Sequence, residues 1–444
     1  MLTVSLFTAA ARRAERRRAA PLCTSLCTLG AALAFALLTG PAAAGTPEAP
    51  LPGEITVQAA PGTSQAFQQA IVTLTDALLA KAAAAAPGGG ALVIDPLIDR
   101  DSGAETAGTR TIAAVIEDRV RDHDPQIQMR PFTPESLADK PFVIMGSIAP
   151  AWKVRSSDLP IGKPQVYYLW AVVADLRTDR ILGLEHAWVR AADASPTPTA
   201  FFRDSPVWSS DAMRAAYLKM CSSPAGTVLD VAYKNALSTQ AVIASAVRAY
   251  DAHDFSRALD LYTHASKMRG GEQLRVLNGI YLSDVALGRA HDAETAFARL
   301  VEYGLDRDRL AVKFLFRVAS TGFWPDPAVS RPYPMWVRQI GDRTAAHATC
   351  LQITGHASPT GIAALNDRLS LARARRMEVL LTAAAPGLAG HTAARGVGSR
   401  DPIIGTGTDD ATDALDRRVD FMPMPCGHDS AAKDRPAPQS TPAS

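Results

Sequence analysis

Cysteine is scarce in this chain, and the motifs of the common enzyme classes are missing from it. Five cysteines occur in 444 residues, and two of them, Cys23 and Cys27, fall in an amino-terminal stretch that reads as a leader. Only Cys221, Cys350 and Cys426 then remain, so one disulfide at most can form in an oxidising compartment. Beyond the leader there is no Gly-x-Ser-x-Gly, no Walker glycine loop, no His-Glu-x-x-His and no Cys-x-x-Cys. Gly396-Val397-Gly398 is too short for a dinucleotide loop, and a lone cysteine such as Cys221 in a helix reads as packing rather than as a nucleophile. Asp409, Asp410, Asp413 and Asp416 lack the alternate spacing of a calcium loop. The chain therefore reads as non-enzymatic, with no cofactor and no metal. A charge excess of one sign is lacking as well. The net charge of +2 includes five arginines and one glutamate in residues 1–44, and their removal leaves 41 basic against 43 acidic residues. That balance gives no case for a nucleic-acid partner. The amphipathic strand runs of a transmembrane barrel are also missing.

The leader has the parts of a secretory signal. Arg12, Arg13, Arg16, Arg17 and Arg18 precede an apolar run from Leu26 to Leu38, and Ala42-Ala43-Ala44 follows it. Cleavage is expected after Ala44; an uncleaved anchor is the alternative, since 26–44 is nearly long enough to span a bilayer. The context of Cys23 and Cys27 does not fit lipid attachment. Residues 45–63, rich in Pro, Gly, Ala and Thr, read as a linker, and the polar, Pro-rich stretch 427–444 as a disordered tail.

With 47% apolar and 20% charged residues, the rest has material for two to four packed domains. Phe67, Ile71, Leu74 and Leu78 recur at helical spacing up to the break at Pro87-Gly88-Gly89-Gly90. A strand at 91–94 and a helix with Ile112, Val115, Ile116 and Val120 inward follow. Strands are expected at 127–132 and 142–148, with a short helix at 135–140 between them. The runs 166–176 and 181–189, joined at Thr178-Asp179, read as a hairpin. Residues 64–192 are thus an α/β sandwich, and the order of its elements loosely resembles CsgG-like and TolB-amino-terminal-like periplasmic domains. That resemblance implies an interaction module. After a connector at 193–237, whose helices at 211–221 and 228–237 would cap the next segment, residues 238–308 turn wholly helical. Phe255, Ala258, Tyr262 and Ala265 are followed, 35 residues on, by Ala293, Phe297 and Leu300 in matching places. The offset is close to the tetratricopeptide period of about 34 residues, and the segment resembles a tetratricopeptide (TPR) pair. An ordinary Ala-rich helical hairpin is the alternative. A TPR pair would offer a docking surface for envelope proteins.

The strongest signal lies in residues 309–426. A strand is expected at 312–316, a helix from Pro334, a second strand at Cys350-Leu351-Gln352-Ile353 and a closing strand at Arg417–Phe421. Between the last two lie Gly355-His356-Ala357-Ser358-Pro359-Thr360-Gly361 and then Asn366, Leu369-Ser370 and Arg373-Ala374. In type and register these residues, with Arg417-Arg418-Val419, resemble the peptidoglycan-associating OmpA-like family. The fold class is then α+β multidomain: an N-terminal α/β sandwich, a central all-α TPR-like array and a C-terminal OmpA-like βαβαβ(α)β domain. Cys350 and Cys426 would meet at one sheet edge if the second and closing strands run antiparallel side by side, which allows a disulfide; two separate thiols are the alternative.

The resemblance implies a partner, the diaminopimelate of the peptidoglycan stem peptide, and a periplasmic location at the outer membrane or cell wall. A zwitterion of that kind calls for a guanidinium and an acceptor facing each other. Arg373 stands at the family's arginine position, fifteen residues after the loop position that supplies the family's aspartate, and that position is Ser358 here. The serine can accept a hydrogen bond but brings no charge. Asn366 and Thr360 would add polar contacts, although Asn366 could instead cap its helix. His356 reads as a residue that orients the loop, and Asp416 replaces the family's Asn before the paired arginines. The function expected is a non-enzymatic tether or scaffold at the wall. The alternative is a protein-protein scaffold whose OmpA-like fold has lost wall binding.

Overall fold

A computed structural model describes residues 67–123, 126–150, 166–190, 193–207, 211–403 and 415–426. The expected leader, linker and tail lie outside the described residues, which all belong to one compact unit. None of the described helices is long and apolar enough to cross a membrane.

Helix α1 (Phe67–Ala85) buries Phe67, Ile71, Leu74 and Leu78 on one stripe. It stops at the Pro-Gly break, where Gly89 has φ +82° and a Cβ would lie 2.3 Å from the Gln126 carbonyl oxygen. There follow β1 (Gly90–Ile94), β2 (Ile98–Asp99), α2 (Ala107–His123), β3 (Ile127–Met129), α3 (Pro134–Ala138), β4 (Phe142–Pro150), β5 (Val166–Asp175) and β6 (Arg180–Arg190). They form a mixed sheet in the order β3-β1-β4-β5-β6, with β2 also on β4. The strands β1, β2 and β3 pair in parallel, whereas β4, β5 and β6 pair antiparallel. The β5–β6 hairpin turns through Asp179 at φ +56°.

Every residue of β4 is buried, so the sheet needs cover on both faces. Helices α1 and α2 supply one cover, packing Ile71, Leu78, Ile112 and Ile116 on Leu92, Ile144 and Leu169. The opposite face corrects the expected division at 192 and 237. It is covered by α3, by α5 (Ala212–Cys221) and by the first half of α6 (Val231–Asp251), with Tyr217, Met220, Tyr233, Leu237 and Ala241 against Val93, Val143 and Val172. The short α4 (Ala200–Asp204) lies between β6 and α5 in the chain. The supposed connector thus completes the first domain through α5 and the start of α6, while Phe201 and Val207 pack on the helical array.

The array consists of α6, α7 (Phe255–Ala265), α8 (Leu274–Ala286) and α9 (Ala290–Leu305), each packed on the next. Asp230 and Asp254 cap α6 and α7 by accepting backbone N–H groups. Gly279 of α8 faces Tyr262 of α7, where a Cβ would come within 2.3 Å of the ring. Ala258, Tyr262, Ala265, Ala293, Phe297 and Leu300 are all buried, and Phe255 is half-buried.

The remaining elements are α10 (Pro327–Ser330), α11 (Tyr333–Ala346), β7 (Cys350–Gly355), α12 (Ala363–Ala384), β8 (Thr392–Gly396) and β9 (Val419–Met424). The sheet order is β8-β7-β9, parallel on one side and antiparallel on the other. The expected strand at 312–316 is not a regular strand. It makes two single bridges to different partners, Val312 with Val207 and Phe316 with Phe323, and Leu310 just before it bridges Phe421. One core runs from the helical array into this domain: Trp336 of α11 stacks on Phe297 at 5.2 Å and donates to the Tyr281 hydroxyl at 2.9 Å. Cys350 is bonded to Cys426 across the antiparallel pair, with Cα atoms 5.1 Å apart. Cys221 is a buried free thiol facing the first sheet.

Candidate functional site

The site is built where α12 lies on β7 and β8 at backbone contact. A Cβ on Gly355 would sit 1.9 Å from the Ser370 carbonyl oxygen, and one on Gly396 would sit 2.5 Å from the Leu371 nitrogen. Glycine is therefore required at both strand ends for the helix to approach this closely. Ser370 is fully buried; its Oγ donates to the Asp367 carbonyl and accepts from Gly398 N at 2.9 Å. Gly398 itself has φ +61°. His356 N donates to the Arg418 carbonyl and Ala357 N to the Gly398 carbonyl, which carries the loop after β7 over the ends of β8 and β9.

Three of the residues singled out in the sequence are held together in that loop. Ser358 Oγ and Thr360 Oγ1 lie 3.2 Å apart. Asn366, one turn into α12, donates through Nδ2 to the carbonyls of Ser358 (3.2 Å) and Thr360 (2.9 Å), so it fastens the loop rather than capping the helix. Arg373 joins them through the backbone: Nη1 donates to the His356 carbonyl at 2.8 Å.

Arg373 does not stand at the surface as a ligand arm. It is 1% exposed, and it also donates from Nε to the Ser320 carbonyl (3.1 Å) and from Nη2 to the Arg317 carbonyl (3.0 Å). Its guanidinium packs 5.3 Å from the Phe316 ring centre. The arginine thus ties the 317–320 loop to the loop after β7, three backbone acceptors being satisfied by one side chain.

A second network lies beside it, which the motif alone did not reveal. Arg418, buried, donates to both oxygens of Asp420 (3.3 and 3.1 Å) and to Asp401 Oδ2 (3.1 Å). His356 Nε2 lies 3.0 Å from Asp420 Oδ2. Burial pushes the Asp420 carboxyl up, but Arg418 and His356 outweigh it and hold the group below the usual carboxylate range. Arg417, also buried, donates to the Phe316 carbonyl at 3.2 Å, and Asp416 accepts from Ile403 N at 2.6 Å. Asp420 was legible only as a charge two places beyond the paired arginines. Asp401 had no signal.

No family model matches the sequence, and no curated protein matches it significantly. Among solved structures the chain is similar to the peptidoglycan-associated lipoprotein from Burkholderia pseudomallei, with 20% identity over 27% of this chain and 92% of that one and a TM-score of 0.22. It is also similar to the cell wall anchor of the T6SS from Pseudomonas aeruginosa, with 25% identity over 29% of this chain and 96% of that one and a TM-score of 0.23.

Chemically, the arrangement offers two hydroxyls on a pinned loop, a guanidinium beneath it and a compensated Arg-Asp-His cluster at its side.

Proposed function

We propose that this is a non-enzymatic cell-envelope protein that associates with peptidoglycan through residues 309–426 and so tethers or scaffolds an envelope assembly. The observation that carries the reading is the convergence of Ser358, Thr360 and Asn366 on one loop whose backbone is held by Arg373. Ser358 and Arg373 stand where the OmpA-like motif has its aspartate and its arginine, and Thr360 and Asn366 would add polar contacts. The Ser358 and Thr360 hydroxyls would accept from the ammonium of a diaminopimelate end, and Arg373 would serve its carboxylate. The latter requires the 317–320 loop to yield, because that loop holds two of the carbonyls bonded to Arg373. Export to the periplasm and docking of envelope proteins on the tetratricopeptide-like helices belong to the same proposal.

A test is calorimetric titration of the full chain with a diaminopimelate-containing muropeptide. Wild type should bind weakly. Ser358→Asp, which adds a charged acceptor, should tighten binding about tenfold, because a charged hydrogen bond is roughly twice as strong as a neutral one. No heat from either protein would exclude the site.

One observation favours a second reading. A guanidinium 1% exposed and bonded to three carbonyls is built like a structural tie. On that reading the fold has kept its frame and lost the wall, and the helical array does the binding. Muropeptide heat from Ser358→Asp alone would support it.

A further inference from the structure

A separate group of cations lies in a part of the molecule that shares no residue with the Arg373 site. A cavity of about 60 Å³ forms where the 102–104 loop, α4, α5, the first turn of α8 and the 310–316 segment meet, and Arg214, Arg275, Lys313, Phe201, Phe202 and Asp211 are among its lining residues. A water needs about 10–15 Å³ by this measure, so the space suits several waters or one tetrahedral oxyanion.

None of the three cations has a carboxylate partner at contact distance among the described residues. Lys313, 5% exposed, donates through Nζ to the carbonyls of Phe202 (3.2 Å) and Arg203 (3.1 Å). Arg214 donates through Nη2 to the carbonyls of Arg100 and Asp101, and its buried Nε makes no hydrogen bond. Arg275 is half-buried over the Phe202 ring at 5.9 Å and has no hydrogen bond or ion pair among the described residues. Asp211 is the one acidic residue among the described lining residues, and its two oxygens are taken by the backbone N–H groups of Arg214 (2.9 Å) and Leu274 (3.1 Å). Glu105, whose charge Arg275 also feels, is bonded to Arg110. Burial lowers the Lys313 ammonium to about 8 against the pull of Asp204, and lowers Arg214 against that of Asp99, Asp101 and Asp211, so the desolvation of both cations is only partly offset. Buried cations are seldom left in that state unless something negative completes them.

We propose that this cavity binds a small free oxyanion of phosphate or sulfate size, held by Arg214, Arg275 and Lys313. The three cations come from α5, α8 and the segment leading into the C-terminal domain, so the anion ties the first domain, the helical array and the C-terminal domain together. Guanidinium pairs suit the planar edges of such an anion. A space of this size has no room for an acyl chain, which sets a free anion apart from a lipid headgroup.

The experiment is thermal unfolding of the full chain in inorganic phosphate against chloride at matched ionic strength. A ligand of the folded state raises the midpoint with its concentration, here by about 2 to 4 °C near saturation. Arg275→Gln, which breaks no hydrogen bond of the fold, should keep its chloride midpoint and lose the phosphate response, and Arg275→Lys should keep part of it. Equal midpoints for wild type in the two salts, or an undiminished response in Arg275→Gln, would overturn the proposal. So would flotation with phosphatidic-acid vesicles in the absence of any response to inorganic phosphate.

Discussion

Arg373 shows how little a residue's type says about its exposure. Arginine is mostly exposed, so a charged residue in register with a binding motif reads as a ligand arm. Here it is a buried tie between two loops, and its removal leaves three backbone carbonyls to find other donors. Arg373→Met should therefore lower stability by about 2 to 4 kcal/mol in urea unfolding, well beyond a surface arginine. Asp95 supplies a pH dependence. It is buried, accepts from the Tyr233 hydroxyl at 2.6 Å, and desolvation by burial raises its carboxyl to about 7. An unfolded aspartate ionises near pH 4, so between about pH 4 and pH 7 the folded chain holds a proton that the unfolded chain has lost. This contribution is complete below the unfolded value and falls as pH rises through the folded one. Asp95→Asn should consequently gain about 1 to 3 kcal/mol over wild type at pH 8 and show little gain at pH 4, as read from urea midpoints at the two pH values.

Among the elements, the contact of α12 with β7 and β8 was the most legible, because backbone contact permits few residue types. Gly355, Gly396, Ser370 and Ala374 are what such a contact demands, and they are the residues that made the motif recognisable. Gly355→Ala would force a methyl toward the Ser370 carbonyl and should cost at least about 2 kcal/mol, seen as a lower urea midpoint. Helices α5 and α6 were legible as helices but not as the cover of the first sheet, since an apolar stripe does not name its partner. The 312–316 segment misled for the opposite reason: its apolar run reads as a strand, but its two bridges go to different partners. The Cys350–Cys426 bridge closes a loop of 76 residues around the C-terminal elements. Its reduction should lower stability by about 2 to 4 kcal/mol, measured as a shift of the urea midpoint with reductant.

For the whole molecule, the modules that the sequence suggests in series are joined by shared cores. Phe297 and Trp336 belong to one cluster across the helical array and the C-terminal domain, while Tyr233 and Leu237 of α6 belong to the cluster on the first sheet. Helix α6 is thus common to two cores, and the described parts should unfold together. Wall binding is read most simply by co-sedimentation of the purified full chain with insoluble peptidoglycan, beside Ser358→Asp. Wild type should pellet with the wall and Ser358→Asp should pellet at lower wall concentration; wild type left in the supernatant at every wall concentration would contradict wall binding.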